Sequence, residues 1–505
     1  MKSQLVRLVI RKHAPFLVLL AFAIAIHLPI FGDALNPDST TYLEGARSLI
    51  FNGSLRIETS LVPRHPPLMA LILAPFGLIF GFNEFAVHLF GLSGFAALLV
   101  LVYAVSQKLG HPSSLIPCTL LSLDPVLYLN ISDGRALCLL MGLALVTLIA
   151  VWRGLSDPRW LLIAAVGASL AYLTADTVGY IFVVGGLAGL LWRFYYDRWA
   201  ILRNTRYLAA MSLFAAVVLT WTSYNLVSAG TVDTDPRVVG YLDRLIFGMP
   251  LDVGIVVVSG FVGYFVLYLA QTGIPFLGIR GVRRSLFSIP RLALQDQRIG
   301  AMLLFIVVTV VISAVVAAAF VLYEPLRNLD YADTYLRYAA VVAPVAYIGI
   351  SMTLRASGAL TRSWLAPFTV ALFILIVQFA PQMIQRNASS DGFAAIQMEL
   401  ARHNFTSVYS DFAIYLRYDI PGIVFISVDK GYATPTVDIT SADVPLGSPL
   451  LTFIYVPAVY DERVQGLYLI YHSTHRSIRR LPTSTIGREA PAMAISGRGF
   501  QGLCE

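Results

Sequence analysis

The sequence predicts an α-helical polytopic membrane protein with about eleven transmembrane helices, a long first external loop bearing interfacial helices, and a small C-terminal external α/β domain. Hydrophobic residues make up 57% of the 505 positions and charged residues 13%, against about 45–50% and about 25% in soluble domains. The apolar residues form blocks of roughly 17–25, the length that crosses about 30 Å of hydrocarbon. After about residue 383 these blocks stop, and short strand-like runs replace them.

The apolar blocks predict helices because backbone amides in lipid must be paired within their own segment. The predicted spans lie near 14–31, 86–107, 113–130, 135–152, 159–175, 178–195, 207–226, 252–277, 299–322, 338–355 and 364–381. The first block follows four basic residues, as a signal peptide would. No small-residue cleavage site follows it, so we interpret it as an uncleaved span.

One further apolar block, 68–81, is short for a span, and counting it as one would invert the side of every later loop. With this block excluded, the predicted cytoplasmic segments hold eighteen Lys and Arg, and the outward loops before the tail hold eight. The positive-inside rule therefore predicts a cytoplasmic N-terminus and an extracytoplasmic C-terminal domain, in the plasma membrane. Residues 66–81 are then predicted as a helix in the outer interface, within a first external loop of about 32–85.

The same distribution accounts for the net charge of +7, so no nucleic-acid partner is predicted. We expect a transmembrane domain over 1–382 and an external α/β domain over 383–505, with strands near 407–409, 422–428 and 451–456 after a helical stretch at 391–403. Only one of the three cysteines, Cys504, lies outside the apolar blocks. The tail is therefore not held by an internal disulfide.

The first external loop contains two groups of candidate residues. Asp38 or Ser39 can cap a helix whose apolar residues, beginning with Tyr42, recur at helical spacing, and a plain N-cap would explain Asp38 equally well. Arg64 and His65 precede two prolines and the short apolar block. Basic groups at this level can bind a lipid phosphate or serve only as interfacial anchors.

Acidic residues elsewhere are also candidates. Asp133 lies in a very short outward turn, where Asp-Gly turn chemistry is itself a sufficient structural reason. Asp124 and Asp176 lie close to or within apolar blocks, where ionisable residues are often functional. Asp124 precedes Pro125, however, and its role can be limited to hydrogen-bonding a broken helix.

Arg337 and Tyr338 stand at the predicted outer membrane edge, before a span that contains Pro344. The Arg337 guanidinium can fork onto a phosphate or extend to the interface as an anchor.

Together these residues resemble the GT-C superfamily of polyprenyl-phosphate-sugar glycosyltransferases, in the branch of protein O-mannosyltransferases and aminoarabinose transferases. The resemblance covers about 30–200 and reappears at 331–350 and 400–428. Its most specific element is His65-Pro66-Pro67-Leu68 before an interfacial helix. The other elements are listed here in chain order: Asp38 with Tyr42, Phe80-Gly81, Asp133, Arg337-Tyr338 with Pro344, and Val408 to Phe412.

The resemblance implies a hexosyl- or pentosyltransferase that moves a sugar from a polyprenyl-phosphate donor to a protein, lipid or glycan acceptor among the membrane lipids, with inversion. It implies Asp38 as general base and Asp133 as a donor-positioning acid in a shared pocket. The residues implied to bind the donor or its lipid phosphate are Tyr42, Arg64, His65, Arg337 and Tyr338. If a divalent cation takes part, oxygen ligands from Asp38 and Asp133 would favour Mg²⁺ or Mn²⁺.

Two other classes of function compete with this interpretation. A transporter or flippase of a lipid-linked or small polar substrate would often show internal repeats and polar residues near the midplane. The sequence has no such repeat, and its acidic residues cluster at one face. A receptor or scaffold with an external domain would have no need of Asp38, Asp133 and Arg337.

Overall fold

The computed structural model describes most of the membrane region and the strands of the C-terminal region. The described residues are 2–32, 35, 37–55, 66–107, 114–132, 136–154, 156–174, 203–229, 250–323, 332–356, 364–380, 400–401, 406–410, 422–427, 450–452, 468–472, 477–481 and 494–496. The predicted span at 178–195 lies outside them. Of the predicted helical stretch at 391–403, only residues 400–401 are described, and both are helical.

Helices dominate the described part of the chain. In the first half they are α1 (Lys2–His27), α2 (Pro37–Asn52), α3 (Leu68–Phe80), α4 (Glu84–Ser106), α5 (Ile116–Ser122), α6 (Pro125–Ser132), α7 (Leu137–Gly154) and α8 (Trp160–Thr174). The helices that follow are α9 (Thr205–Ala229), α10 (Leu251–Ala270), α11 (Arg280–Gln295), α12 (Gln297–Tyr323), α13 (Ala332–Ala340), α14 (Ala343–Ala356) and α15 (Leu365–Ala380). Two 3-10 helices, Leu28–Gly32 and Ile274–Gly278, follow α1 and α10.

Several of these helices are long and apolar enough to cross a membrane, so the chain is a multi-pass membrane protein. Within the described residues, five qualify by length and composition: His13–Phe31, Glu84–Ser106, Leu137–Gly154, Thr205–Val227 and Asp252–Ala270. Shorter apolar helices are Leu68–Phe80, Trp160–Thr174, Leu303–Ala319 and Leu365–Ala380. The total of eleven spans and the side of each loop stay predictions.

Three predicted spans differ from the observed helices. The block 113–130 is two helices, because Pro125 lacks an N–H and disfavours helical geometry at Asp124. The block 338–355 lies on α13 and α14, which are separated by a turn at 341–342 before Pro344. The helix predicted to reach residue 277 ends at Ala270, and the 3-10 helix that follows contains Pro275.

The chain consists of two compact units. The first comprises Met1–Pro29 with Phe90–Gln382, and the second Ile30–Leu89 with Met383–Glu505. The predicted domain division at 382/383 stays a prediction. Within the first unit, α7 and α8 pack along each other. They approach closely because Gly167 has no side chain: a Cβ there would lie 2.5 Å from Thr147 Oγ1.

Within the second unit, α2 and α3 pack together, with a close approach where Gly45 faces Ala70. The buried face of α3 is formed by Met69, Ala70, Leu73, Ala74 and Gly77. Four of its other apolar side chains, Leu71, Leu78, Ile79 and Phe80, are exposed. The helix predicted over 66–81 is therefore present, and its place in the outer interface stays a prediction.

The described C-terminal strands form a six-stranded sheet in the order β2-β1-β3-β4-β5-β6. Their bounds are β1 (Ser407–Ser410), β2 (Val424–Ser427), β3 (Leu450–Thr452), β4 (Tyr468–His472), β5 (Ser477–Leu481) and β6 (Ala494–Ser496). The first four strands are parallel, and β5 and β6 are antiparallel to their neighbours. The three predicted strands correspond to β1, β2 and β3. The location of this sheet outside the membrane stays a prediction.

Candidate functional site

Helix α2 carries Asp38 in its first turn. The helix begins at Pro37, a position where the missing proline N–H costs nothing and the fixed φ suits a helix. Asp38 and Ser39 therefore lie inside the helix, whereas the sequence suggested that one of them precedes it as a cap. The side chain of Asp38 lies outside the described residues. Tyr42, the predicted donor-binding partner one turn later, is buried.

Polar side chains on α2 are unusually buried. Ser39 and Thr40 are fully buried, and Glu44 is 4% exposed. A carboxylate of Glu44 lies 3.7 Å from Arg47 Nη1, and the arginine side chain is 44% exposed. Burial of polar groups is costly unless they are paired. These side chains of α2 are therefore surrounded by protein rather than by water.

Glu44 is a candidate that the sequence analysis did not single out. Local spacing did not mark it, because Glu44 lies on a different side of α2 from the apolar face formed by Leu43 and Ala46. His27, in the predicted first span, is another candidate that was not predicted, although an ionisable residue in a membrane span is often functional. It is fully buried, its Nδ1 hydrogen-bonds the Ala23 carbonyl at 2.7 Å, and its Nε2 has no hydrogen-bond partner among the described residues.

Asp124 is the centre of a buried hydrogen-bond network in the first unit. It is fully buried between α5 and α6. Its Oδ1 accepts the backbone N–H groups of Val126 at 2.9 Å and Leu127 at 3.2 Å, which is the geometry of an N-cap. Its Oδ2 accepts the hydroxyls of Tyr268 at 2.8 Å and Tyr347 at 2.6 Å.

Both oxygens of Asp124 are therefore occupied by protein donors. This confirms the interpretation that Asp124 hydrogen-bonds a broken helix. The tyrosines come from α10 and α14, so one carboxylate joins three helices. A group engaged on all sides in this way is suited to holding structure, and it leaves little room for a substrate.

Arg337 lies near the end of α13, half-buried against its neighbour Tyr338. Its Nη2 donates to the Tyr338 hydroxyl at 3.3 Å, and its Cζ lies 5.1 Å from the centre of the Tyr338 ring. Tyr338 itself is 6% exposed. A guanidinium held against an aromatic face keeps a fixed orientation, which favours bidentate binding of a phosphate.

The packing of α6 links the Asp124 network to the Arg337 segment. The start of α6 is joined to α14 through Tyr347, and α6 also packs against α13, which precedes α14. Helix α6 therefore contacts both α13 and α14. Asp133 follows Ser132 in the sequence and lies outside the described residues, as do Arg64 and His65.

The seven predicted site residues divide into those whose side chains the structure describes and those whose side chains lie outside the described residues. The second set is Asp38, Arg64, His65 and Asp133. The structure describes the side chains of Tyr42, Arg337 and Tyr338, and of these it brings Arg337 and Tyr338 into contact. The roles of all seven residues, and the predicted shared pocket, stay predictions. Among the residues described, no group of three or more His, Cys, Asp and Glu side chains could hold a metal ion. The side chains of the two predicted ligands, Asp38 and Asp133, lie outside the described residues.

One model of a known protein family matches part of this chain. The family model described as dolichyl-phosphate-mannose-protein mannosyltransferase matches residues 64–224, which is less than half of the chain. This match confirms the resemblance to polyprenyl-phosphate-sugar transferases, and it includes the His65-Pro66-Pro67-Leu68 element and Asp133. No curated protein sequence matches this chain.

Three solved structures are similar to this chain. The crystal structure of ArnT from Cupriavidus metallidurans bound to undecaprenyl phosphate has a TM-score of 0.48 and 14% identity, over 84% of this chain and 87% of that chain. The apo state of the same protein has the same TM-score and identity, over 82% and 86%. The archaeal oligosaccharyltransferase AglB from Archaeoglobus fulgidus, in complex with an inhibitory peptide and a dolichol-phosphate, has a TM-score of 0.40 and 12% identity, over 83% and 65%.

Proposed function

We propose that this chain is a membrane glycosyltransferase that moves a sugar from a polyprenyl-phosphate donor to an acceptor hydroxyl on the extracytoplasmic face. The observation that carries the proposal is the match of residues 64–224 to a family of dolichyl-phosphate-mannose-protein mannosyltransferases, which use a lipid-phosphate sugar donor. The multi-pass membrane character of the chain supports it, because a polyprenyl chain needs a bilayer beside the enzyme.

The proposed reaction is an inverting substitution at the anomeric carbon. The acceptor oxygen attacks from the face opposite the phosphate, a new glycosidic bond forms, and the bond from the anomeric carbon to the phosphate oxygen breaks. Asp38 takes the acceptor proton, and the polyprenyl phosphate leaves with the bonding electrons. General-base assistance of this kind is typically worth 10²–10⁴-fold.

Arg337 is proposed to stabilise the phosphate as its negative charge grows. The half-buried guanidinium beside Tyr338 supports this role, because preorganised donors are worth most where water is partly excluded. Arg64 and His65 are proposed to assist at the same phosphate through charge-assisted hydrogen bonds. Tyr42 and Tyr338 would pack beside the donor.

Asp133 is proposed to position the donor sugar. Its place directly after α6 supports this role, since α6 packs against α13, the helix that carries Arg337. If the reaction uses Mg²⁺ or Mn²⁺, Asp38 and Asp133 are the proposed oxygen ligands. The acceptor is a protein, a lipid or a glycan, and none of these residues selects among the three classes.

The test is a transfer assay with radiolabelled polyprenyl-phosphate sugars and purified full-length protein in lipid vesicles. We expect consumption of donor by the natural sequence and a loss of roughly 10²–10⁴-fold in the Asp38→Asn variant. Loss of label from the donor also separates an enzyme from a flippase or scaffold, which would leave the donor intact.

Asp252→Asn is the matched control. Asp252 is an exposed acid in the first turn of α10, the same helical position that Asp38 has in α2. If Asp38 only interacts favourably with the helix N-terminus, both variants should lose the same small amount of stability and no activity. Full transfer by Asp38→Asn would remove this residue from the mechanism.

A further inference from the structure

Helix α11 has features that the proposed transfer reaction does not use. It connects α10 to α12, and both of these contain long apolar segments, Asp252–Ala270 and Leu303–Ala319. Helix α11 itself carries four arginines within sixteen residues. A helix of this composition between two apolar helices is expected at a membrane surface, because a span containing four arginines would be very costly.

The arginines of α11 share one side of the helix. At 3.6 residues per turn, Arg280, Arg283, Arg284 and Arg291 fall within a sector of about 100°, and Phe287 lies in the middle of that sector. We call these five residues the basic face of α11. Val282, on the opposite side, is buried. The helix packs against α12, α14 and the 3-10 helix Ile274–Gly278, so the protein covers the side away from the basic face.

The described side chains of the basic face are directed away from the protein. Arg280, Arg283 and Arg284 are exposed, and Phe287 is 78% exposed. Positive charges that serve only to set the topology would be effective anywhere in the loop, and they need not share one sector. A phenyl ring surrounded by guanidinium groups suits a boundary where phosphates lie beside acyl chains.

We propose that the basic face of α11 binds anionic lipid headgroups at the membrane surface. The arginines would pair with lipid phosphates, because a guanidinium matches phosphate geometry with two parallel hydrogen bonds. Phe287 would insert between the headgroups to the level of the upper acyl chains. This binding is separate from sugar transfer and requires no donor.

A fluorescence experiment tests the proposal on the full-length chain. The Phe287→Trp variant is reconstituted in phosphatidylcholine vesicles that contain either brominated phosphatidylcholine or brominated phosphatidylglycerol. The signal of the natural protein, with its six tryptophans, is subtracted. We expect quenching by both lipids and several-fold stronger quenching by phosphatidylglycerol, with the difference reduced at high salt.

Charge removal tests the role of the arginines. Adding Arg283→Gln and Arg284→Gln to Phe287→Trp should lower the phosphatidylglycerol preference by roughly fivefold per arginine, because each basic side chain near an anionic surface contributes about that factor. The matched control carries Arg159→Gln and Arg203→Gln, two exposed arginines outside α11, and should keep the preference. Absence of quenching would show that α11 faces water or a protein partner. Equal quenching by both lipids, or equal loss in the control, would overturn headgroup binding.

Discussion

Asp124 in the first unit and Asp38 in the second are both acids beside a proline at a helix start, but the order of the two residues differs. In Asp124-Pro125 the acid precedes the proline, so it occupies the capping position and accepts the N–H groups of Val126 and Leu127. In Pro37-Asp38 the proline begins the helix, and the acid lies one position inside it. The sequence order thus separates a carboxylate committed to capping from one inside the first turn.

The surroundings of Asp124 and Asp38 also differ. Two hydroxyls from distant helices complete the shell of Asp124, which makes it part of the internal structure of the first unit. Asp38 lies in the first turn of a helix that carries buried polar side chains, and it is the proposed base because of the family resemblance. The lesson is that depth in an apolar block does not by itself mark a catalytic acid. A carboxylate whose two oxygens both accept hydrogen bonds from protein donors, as those of Asp124 do, is suited to a structural role.

The largest effect on stability is expected from replacing Asp124. Asp124→Ala removes the cap and leaves the hydroxyls of Tyr268 and Tyr347 buried without their acceptor. We expect a loss of about 3 kcal/mol or more in the free energy of unfolding, since each bond to a charged group is worth about 1.5–3 kcal/mol and an unsatisfied buried donor costs further free energy. Thermal unfolding in detergent micelles measures it.

Asp252→Ala provides the control for this stability measurement, because an exposed acid in a first turn contributes only about 0.3–1 kcal/mol. Asp38→Ala should resemble the control in stability while losing transfer. If Asp124→Ala is as stable as Asp252→Ala, the network around Asp124 contributes little, and the distinction between the two acids fails.

Arg337 offers the next largest expected effect. Arg337→Gln should lower kcat for transfer by about 10²-fold, the usual cost of one lost donor to developing charge. Arg337→Lys should recover only part of it, because an ammonium does not reproduce the two-pronged geometry. Transfer kinetics with saturating donor measure both variants.

Arg355→Gln is the matched control for Arg337, since Arg355 is also a basic residue in the last turn of a helix, α14. It should transfer sugar at the natural rate. Equal rates for Arg337→Gln and Arg355→Gln would mean that Arg337 is only an interfacial anchor.

The smallest expected effects concern two glycines at helix contacts, one in each unit. A Cβ at Gly167 would meet Thr147 Oγ1 at 2.5 Å, whereas a Cβ at Gly45 would meet the Ala70 Cβ at 3.3 Å. Gly167→Ala should therefore cost about 1–3 kcal/mol through overpacking. Gly45→Ala should lie within about 1 kcal/mol of the natural protein, because better helix propensity offsets the tighter contact.

Thermal unfolding of the two glycine variants in the same detergent provides the measurement. The reverse order of stability would show that the contact between α2 and α3 is the more rigid of the two. It would also show that α8 can move away from Thr147 at little cost.

Much of the helical architecture could be predicted from composition alone. The ends of α4, α7, α8, α9, α12 and α15 lie within a few residues of the predicted spans. The breaks were harder to place. Pro125 and Pro344 were visible in the sequence, but a proline within an apolar block can kink a helix or divide it.

The candidate site was predicted less completely. The helix that carries Asp38 and the short helix after Pro67 follow from apolar spacing and proline position, both of which are local. The burial of Glu44 on α2 could not be read with the same ease. Whether a polar residue on a mixed face meets protein or water depends on which element covers that face, and local sequence does not specify that element.

The amino-acid sequence alone indicates that this protein lies in a membrane, because the length and hydropathy of each block decide whether a segment can cross lipid. It also determined where α6 begins, through a proline that cannot continue a helix. The structural role of Asp124 depends on the tertiary structure. Two of its partners, Tyr268 and Tyr347, lie 144 and 223 residues away along the chain. A buried carboxylate is stabilised by whichever donors the fold brings to it, and no local pattern specifies those donors.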